Sequence, residues 1–164
     1  MEMTNTPSRR ELLALVPFAA AAAPATPLPP LDEAGFQKLL AANKGKVVLV
    51  DFWATWCEPC RKEMPLISKM SERLRAKGLV VITVSADEPE DNARAREFLN
   101  AAKFSGPSYL KQARNDEKFI NAIDPKWSGA LPAMFVYDRA GRKTNSFIGE
   151  TEIPVLEAAI TRLL

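Results

Sequence analysis

The stretch from Val47 to Cys60 constrains this chain more than any other. Val47 to Phe52 is an apolar run broken only by Asp51, the pattern of a strand buried on both faces. The run stops at Ala54-Thr55, and a helical pattern starts at Cys57, so Cys57 and Cys60 fall on the first turn of a helix that follows a central strand. Unpaired amides and the positive end of the helix dipole favour a thiolate at Cys57. Cys60, one turn deeper, is near enough to close a disulfide with Cys57 or to resolve a mixed disulfide formed there. The sequence holds no other cysteine.

The chain has 164 residues, enough for one domain with a substantial core. A net charge of +2 with no basic stripe argues against nucleic acid. There is no histidine. That removes imidazole acid–base chemistry, hydrolase triads and most transition-metal sites.

Residues 1–30 read as a leader outside the fold, and 31–164 as the domain. Ser8-Arg9-Arg10-Glu11-Leu12-Leu13, then an apolar run through Ala23, resembles a twin-arginine export signal with A-x-A cleavage after Ala25. The run of about 12 apolar residues is short against the ~20 that span a bilayer. The expected location is periplasmic or otherwise extracytoplasmic; an uncleaved leader would anchor the chain, and a disordered arm is the plainer alternative.

Asp32 can cap a short helix carrying Phe36, Leu39 and Leu40, and Asn43 to Lys46 turns into the central strand. After the cysteines the helix continues to Lys77, with a kink expected at Pro65 and a stop at Gly78. Leu79–Val84 reads as a second buried strand, 90–103 as a mostly exposed helix, Tyr109-Leu110 as a short extended piece and 116–123 as a helix. Ala133–Tyr137 is a third strand. Asp138 to Arg142 makes a hairpin turn, 143–149 an antiparallel edge strand and 152–164 a closing helix. This order gives a mixed sheet covered by helices on both faces.

V-D-F-W-A-T-W-C-E-P-C followed by R-K-E-M-P, with Gly129-Ala130-Leu131-Pro132 ahead of the third strand, resembles the TlpA-type thiol–disulfide oxidoreductases of the thioredoxin superfamily. The resemblance covers about residues 31–164. It implies a thioredoxin-like α/β fold with an insertion between the second core strand and the cis-proline strand, across 86–131. It further implies that Cys57 is the exposed attacking thiolate and Cys60 the buried resolving thiol. Pro132 would be cis and face the pair, with the Leu131 backbone pairing with substrate. Asp51 matches the buried acid beneath the resolving cysteine; burial should raise its pKa, so that it could exchange a proton with Cys60. The lysine that thioredoxins carry near this acid has no counterpart in Leu79–Val84.

Zinc would need four ligands and the chain offers two thiols, so no metal is expected. A purely structural bridge across so short a loop adds little constraint. Copper chaperones add histidine or methionine to such a pair, and Met64 and Met134 read as core. Peroxidase chemistry fits less well than dithiol exchange, given Thr55 and the second cysteine at i+3. Trp53 reads as core and Trp56 as docking surface; Trp127 fits either a docking surface or a cap on the core. Glu58 and Pro59, between the cysteines, place a negative charge and no cation beside Cys57, which disfavours the thiolate and favours a reducing dithiol.

The expected protein is thus an exported, monomeric thiol–disulfide oxidoreductase with no cofactor beyond its redox-active disulfide. It would reduce protein disulfides of the cytochrome c or copper-site maturation type and be recharged by a membrane dithiol donor. The alternative is a redox-linked client- or copper-binding protein without turnover.

Overall fold

The computed structural model describes residues 26–164. The twin-arginine run and the A-x-A site lie outside the described residues. The elements follow as β1 (Pro30–Leu31), α1 (Glu33–Ala42), β2 (Val47–Trp53), α2 (Glu58–Arg75), β3 (Leu79–Ser85) and α3 (Asn92–Ala101). Then come β4 (Ser108–Lys111), α4 (Asp116–Ile123), β5 (Ala133–Tyr137), β6 (Lys143–Ile148) and α5 (Ile153–Thr161). The strands form one mixed sheet in the order β1-β4-β3-β2-β5-β6. β3 runs parallel to β2 and to β4, while β5 runs antiparallel to β2 and to β6.

β2 is buried along its whole length because it sits mid-sheet with helices on both sides. Its side chains alternate between two cores. Val47, Leu49 and Trp53 meet Met64, Ile67 and Met70 of α2, Leu99 of α3 and Leu156 of α5. Val48, Val50 and Phe52 meet Phe36 of α1 and Phe119 of α4. Asp51 shares the α2 side with Leu49 and Trp53. The α2 helix runs through Pro65 without a break. Helix α3 is mostly exposed, as its sequence suggests, and buries only Ala95 and Leu99.

The expected leader boundary after residue 30 falls inside β1, so the fold reaches further upstream. Leu28 is only 2 % exposed. Its N–H donates to Asn92 Oδ1 at 2.6 Å, and its carbonyl accepts from Asn92 Nδ2 at 2.9 Å. Pro29 and Leu31 carbonyls accept from Leu110 and Gln112 N–H, both at 2.9 Å, seating β1 beside β4. A two-residue strand among prolines has no alternation to reveal it. The 86–131 insertion supplies α3, β4 and α4, and so widens the sheet rather than hanging from it.

Candidate active site

Strand β2 delivers the chain to Ala54, a turn follows, and Cys57 becomes the N-cap of α2. Its Sγ accepts from Cys60 N–H at 3.4 Å, satisfying one of the open amides of the first turn. Pro59 sits in that turn, where its missing N–H costs nothing. The two sulfurs are joined as a disulfide. Cys57 is 5 % exposed and Cys60 2 %. The expectation of an exposed Cys57 is therefore corrected for this oxidised state: both sulfurs pack with the core on the α2 side of the sheet. The exposed neighbour is Trp56, at 66 %.

Asp51 is 2 % exposed, and its Oδ2 has no hydrogen-bond partner among the described residues. Burial, and then repulsion from Glu63, push its pKa up to about 8. The facing residue on β3 is Thr83, whose hydroxyl turns away to Ser108 at 3.0 Å. In place of a lysine, the structure brings a second carboxyl towards Asp51. Glu63 Oε1 accepts from Thr151 N–H at 2.8 Å, while Oε2 is buried with no partner among the described residues. Burial raises the pKa of Glu63 and Glu150 adds to the rise, while the Thr151 N–H works against it. Glu63 also lines a cleft of about 410 Å³ with Pro59, Lys62, Glu150, Thr151 and Glu152, so one acid is sealed and the next reaches an open cleft. Sequence reasoning missed Glu63, although it shares the inward face of α2 with Cys60, Met64 and Ile67.

Glu58 does not stand alone as expected. Lys62, one turn on, holds its carboxylate at 2.8 Å and keeps its pKa low. Both side chains are exposed, so the negative charge beside Cys57 is compensated and screened.

The Leu131–Pro132 peptide bond is cis. Ala133 pairs with Phe52, which places Leu131 and Pro132 at the end of the sheet where β2 hands over to the cysteine turn. Pro132 is buried and its carbonyl accepts from Gly149 N–H at 2.9 Å, while Leu131 is half-buried. Trp127 belongs to the core: its ring centroid lies 4.8 Å from that of Phe52, and its Nε1–H donates to Ala130 carbonyl at 2.8 Å. Trp53 is fully buried against Phe98, as expected of a core residue.

This arrangement places a redox-active cysteine pair at the head of α2, on the side of the sheet that also holds two buried carboxyls. The sequence pattern of the AhpC/TSA family matches residues 19–142. The chain belongs to the AhpC/TSA family. Within it, the thioredoxin-superfamily, TlpA-type character of the sequence is upheld. The chain is 31 % identical over 120 residues to the thiol-disulfide oxidoreductase ResA of Bacillus anthracis, covering 73 % of this chain and 65 % of ResA. It thus spans a little under two thirds of the length of that curated relative. Among solved structures, a thioredoxin-family thiol:disulfide interchange protein from Chlorobium tepidum superposes with a TM-score of 0.62 at 22 % identity, covering 75 % of this chain and 83 % of that one. The thioredoxin domain of a thiol-disulfide oxidoreductase from Bacteroides vulgatus gives 0.60 at 25 % identity, covering 74 % and 84 %. The fold of this AhpC/TSA-family protein is thioredoxin-like.

Proposed function

We propose that this protein is an exported thiol–disulfide oxidoreductase that reduces disulfides in client proteins of the cytochrome c or copper-site maturation type. The observation that carries the reading is the Cys57–Cys60 pair at the N-terminus of α2, lying on the side of the sheet that also holds two buried carboxyls. In the reduced protein, the Cys57 thiolate attacks one sulfur of a client disulfide. That S–S bond breaks, a mixed disulfide forms, and the first client thiolate leaves. Cys60 then gives its proton to the carboxylate form of Asp51 and attacks the Cys57 sulfur, releasing the second client thiolate and closing the Cys57–Cys60 disulfide. Two electrons pass to the client, so a membrane dithiol protein must return two.

Support for the reducing direction shifts from Glu58, which Lys62 compensates, to Asp51 and Glu63. In their carboxylate forms these two acids, on the same side of the sheet as the pair, oppose ionisation of a thiol, so the dithiol gives up electrons more readily as they lose their protons. The likeness to ResA supports the same class of reaction. The twin-arginine-like leader supports export. Among the described residues no helix is long and apolar enough to cross a membrane.

Cys60→Ser decides between exchange and passive binding. Expressed in a periplasm, it should accumulate covalent mixed disulfides through Cys57 that dithiothreitol releases, and Cys57→Ser should accumulate none. A Cys60→Ser protein that carries no reducible adduct would exclude the exchange mechanism.

A further inference from the structure

Three residues beyond Val84, at the start of the insertion, Asp87 is buried at 3 % exposure. Its carboxylate accepts from Thr55 N–H at 3.0 Å to each oxygen, from the Thr55 hydroxyl at 2.7 Å and from the Ser85 hydroxyl at 2.6 Å. Ser85 Oγ in turn accepts from Asp87 N–H at 3.1 Å, and Ala86 N–H donates to Trp53 carbonyl at 2.7 Å. All these partners are neutral. A buried carboxylate without a cation is costly unless every lone pair is used, and here most of its bonds go to Thr55. Thr55, itself 4 % exposed, lies inside the turn that Cys57 N–H closes onto Ala54 carbonyl at 3.2 Å. It also lines a cleft of about 320 Å³ with Arg61, Arg94, Glu97, Phe98 and Ala101.

We infer that Asp87 is a positioning residue for the reaction, acting through Thr55: it holds the turn between β2 and α2 and thereby sets where Cys57 meets an incoming disulfide. The inference rests on Cys57 being the attacking thiol. The turn is short and joins a buried strand to a helix cap. A loosened Thr55 lets the cap rotate, and a reacting sulfur displaced by a fraction of an ångström loses alignment with both the α2 amides and its target.

The test is the alkylation rate of the reduced full-length protein with iodoacetamide, with the modified cysteine identified by peptide mass. Asp87→Asn and Thr55→Val should each slow modification of Cys57 by roughly fivefold or more. Thr55→Ser, which keeps the hydroxyl, should stay within about twofold, and the double variant should be no slower than the slower single one because both changes break one link. Should Asp87→Asn fail to fold, Thr55→Val carries the same readout with a smaller disturbance. A lowered melting temperature with unchanged alkylation would reduce Asp87 to a structural role and overturn the inference. Faster alkylation would overturn it as well, since the buried charge would then outweigh the grip on Thr55. If Cys60 is modified first in the wild-type protein, the assignment of Cys57 itself falls, which the variants cannot mimic.

Discussion

Asp51 binds a proton more tightly in the folded chain than in the unfolded one, and that has a cost the pH can expose. Its pKa moves from the ordinary 3.8 to about 8. Between those values the folded state keeps a proton that the unfolded state has lost, so this group makes stability fall as pH rises from about 4 to 8. Asp51→Asn removes the dependence. Relative to its standing at pH 4, the variant should gain on wild type as pH rises, by on the order of a few kcal/mol by pH 8, with no further change below pH 4. Urea denaturation of the oxidised proteins at pH 4, 6 and 8 checks this, and parallel curves would contradict the buried, protonated acid. Glu58 makes the opposite case. Because Lys62 holds it in solvent, Glu58→Gln should move the reduction potential by less than about 10 mV, measured against a dithiothreitol series. The cysteines were legible from their spacing, and Asp51 from its match to the buried acid of the family that the motif resembles. Glu63 and Asp87 were not, since a lone acid in a charged helix or a turn reads as solvated until its surroundings are known.

At the scale of elements, the cysteine helix and its strand are set locally, while the upstream strap is set by what it touches. Leu28 is buried between prolines, and Asn92 at the start of α3 clasps both its backbone groups. Leu28→Ala should cost about 2–4 kcal/mol, as for other large-to-small changes in a core. Asn92→Ala should cost about 1–3 kcal/mol, because it strands two backbone groups that the fold has partly buried. Equilibrium denaturation measures both. Losses near zero would mean that residues 26–31 are appended to the domain after all. Helix α3 was legible as mostly exposed, but which narrow face turns inward was not: Ala95 is small, and only the packing of Leu99 and Phe98 against the α2 side of the sheet shows it.

Across the whole molecule, the second core is tied to the sheet edge by one charged cluster. Asp124, just after α4, accepts from Lys126 N–H at 2.9 Å, from the Ser146 hydroxyl at 2.8 Å and from Lys143 Nζ at 2.8 Å, the last two both from β6. These bonds, led by Lys143, lower its pKa to about 2. For a depressed acid the contribution is present above its unfolded pKa near 4 and is lost as pH falls through about 2. Asp124→Asn should therefore be less stable than wild type at pH 7 and converge with it near pH 2, which thermal unfolding at the two pH values would show. A loss that persists at pH 2 would point to packing instead of charge.

The linear chain determined its longer strands, its helices and the helix start at the cysteines, because periodicity, capping and spacing are properties of near neighbours, while the cis-proline loop was read from a family resemblance and β1 was not read at all. Tertiary structure decided what surrounds the thiols. Thr55 and Asp87 are 32 residues apart and Leu28 and Asn92 are 64 apart, while Glu63 meets Thr151 across 88. Such partners are chosen by how the sheet is ordered and which helix face packs on it, and whether a carboxyl is a solvated charge or a buried acid depends on that choice alone.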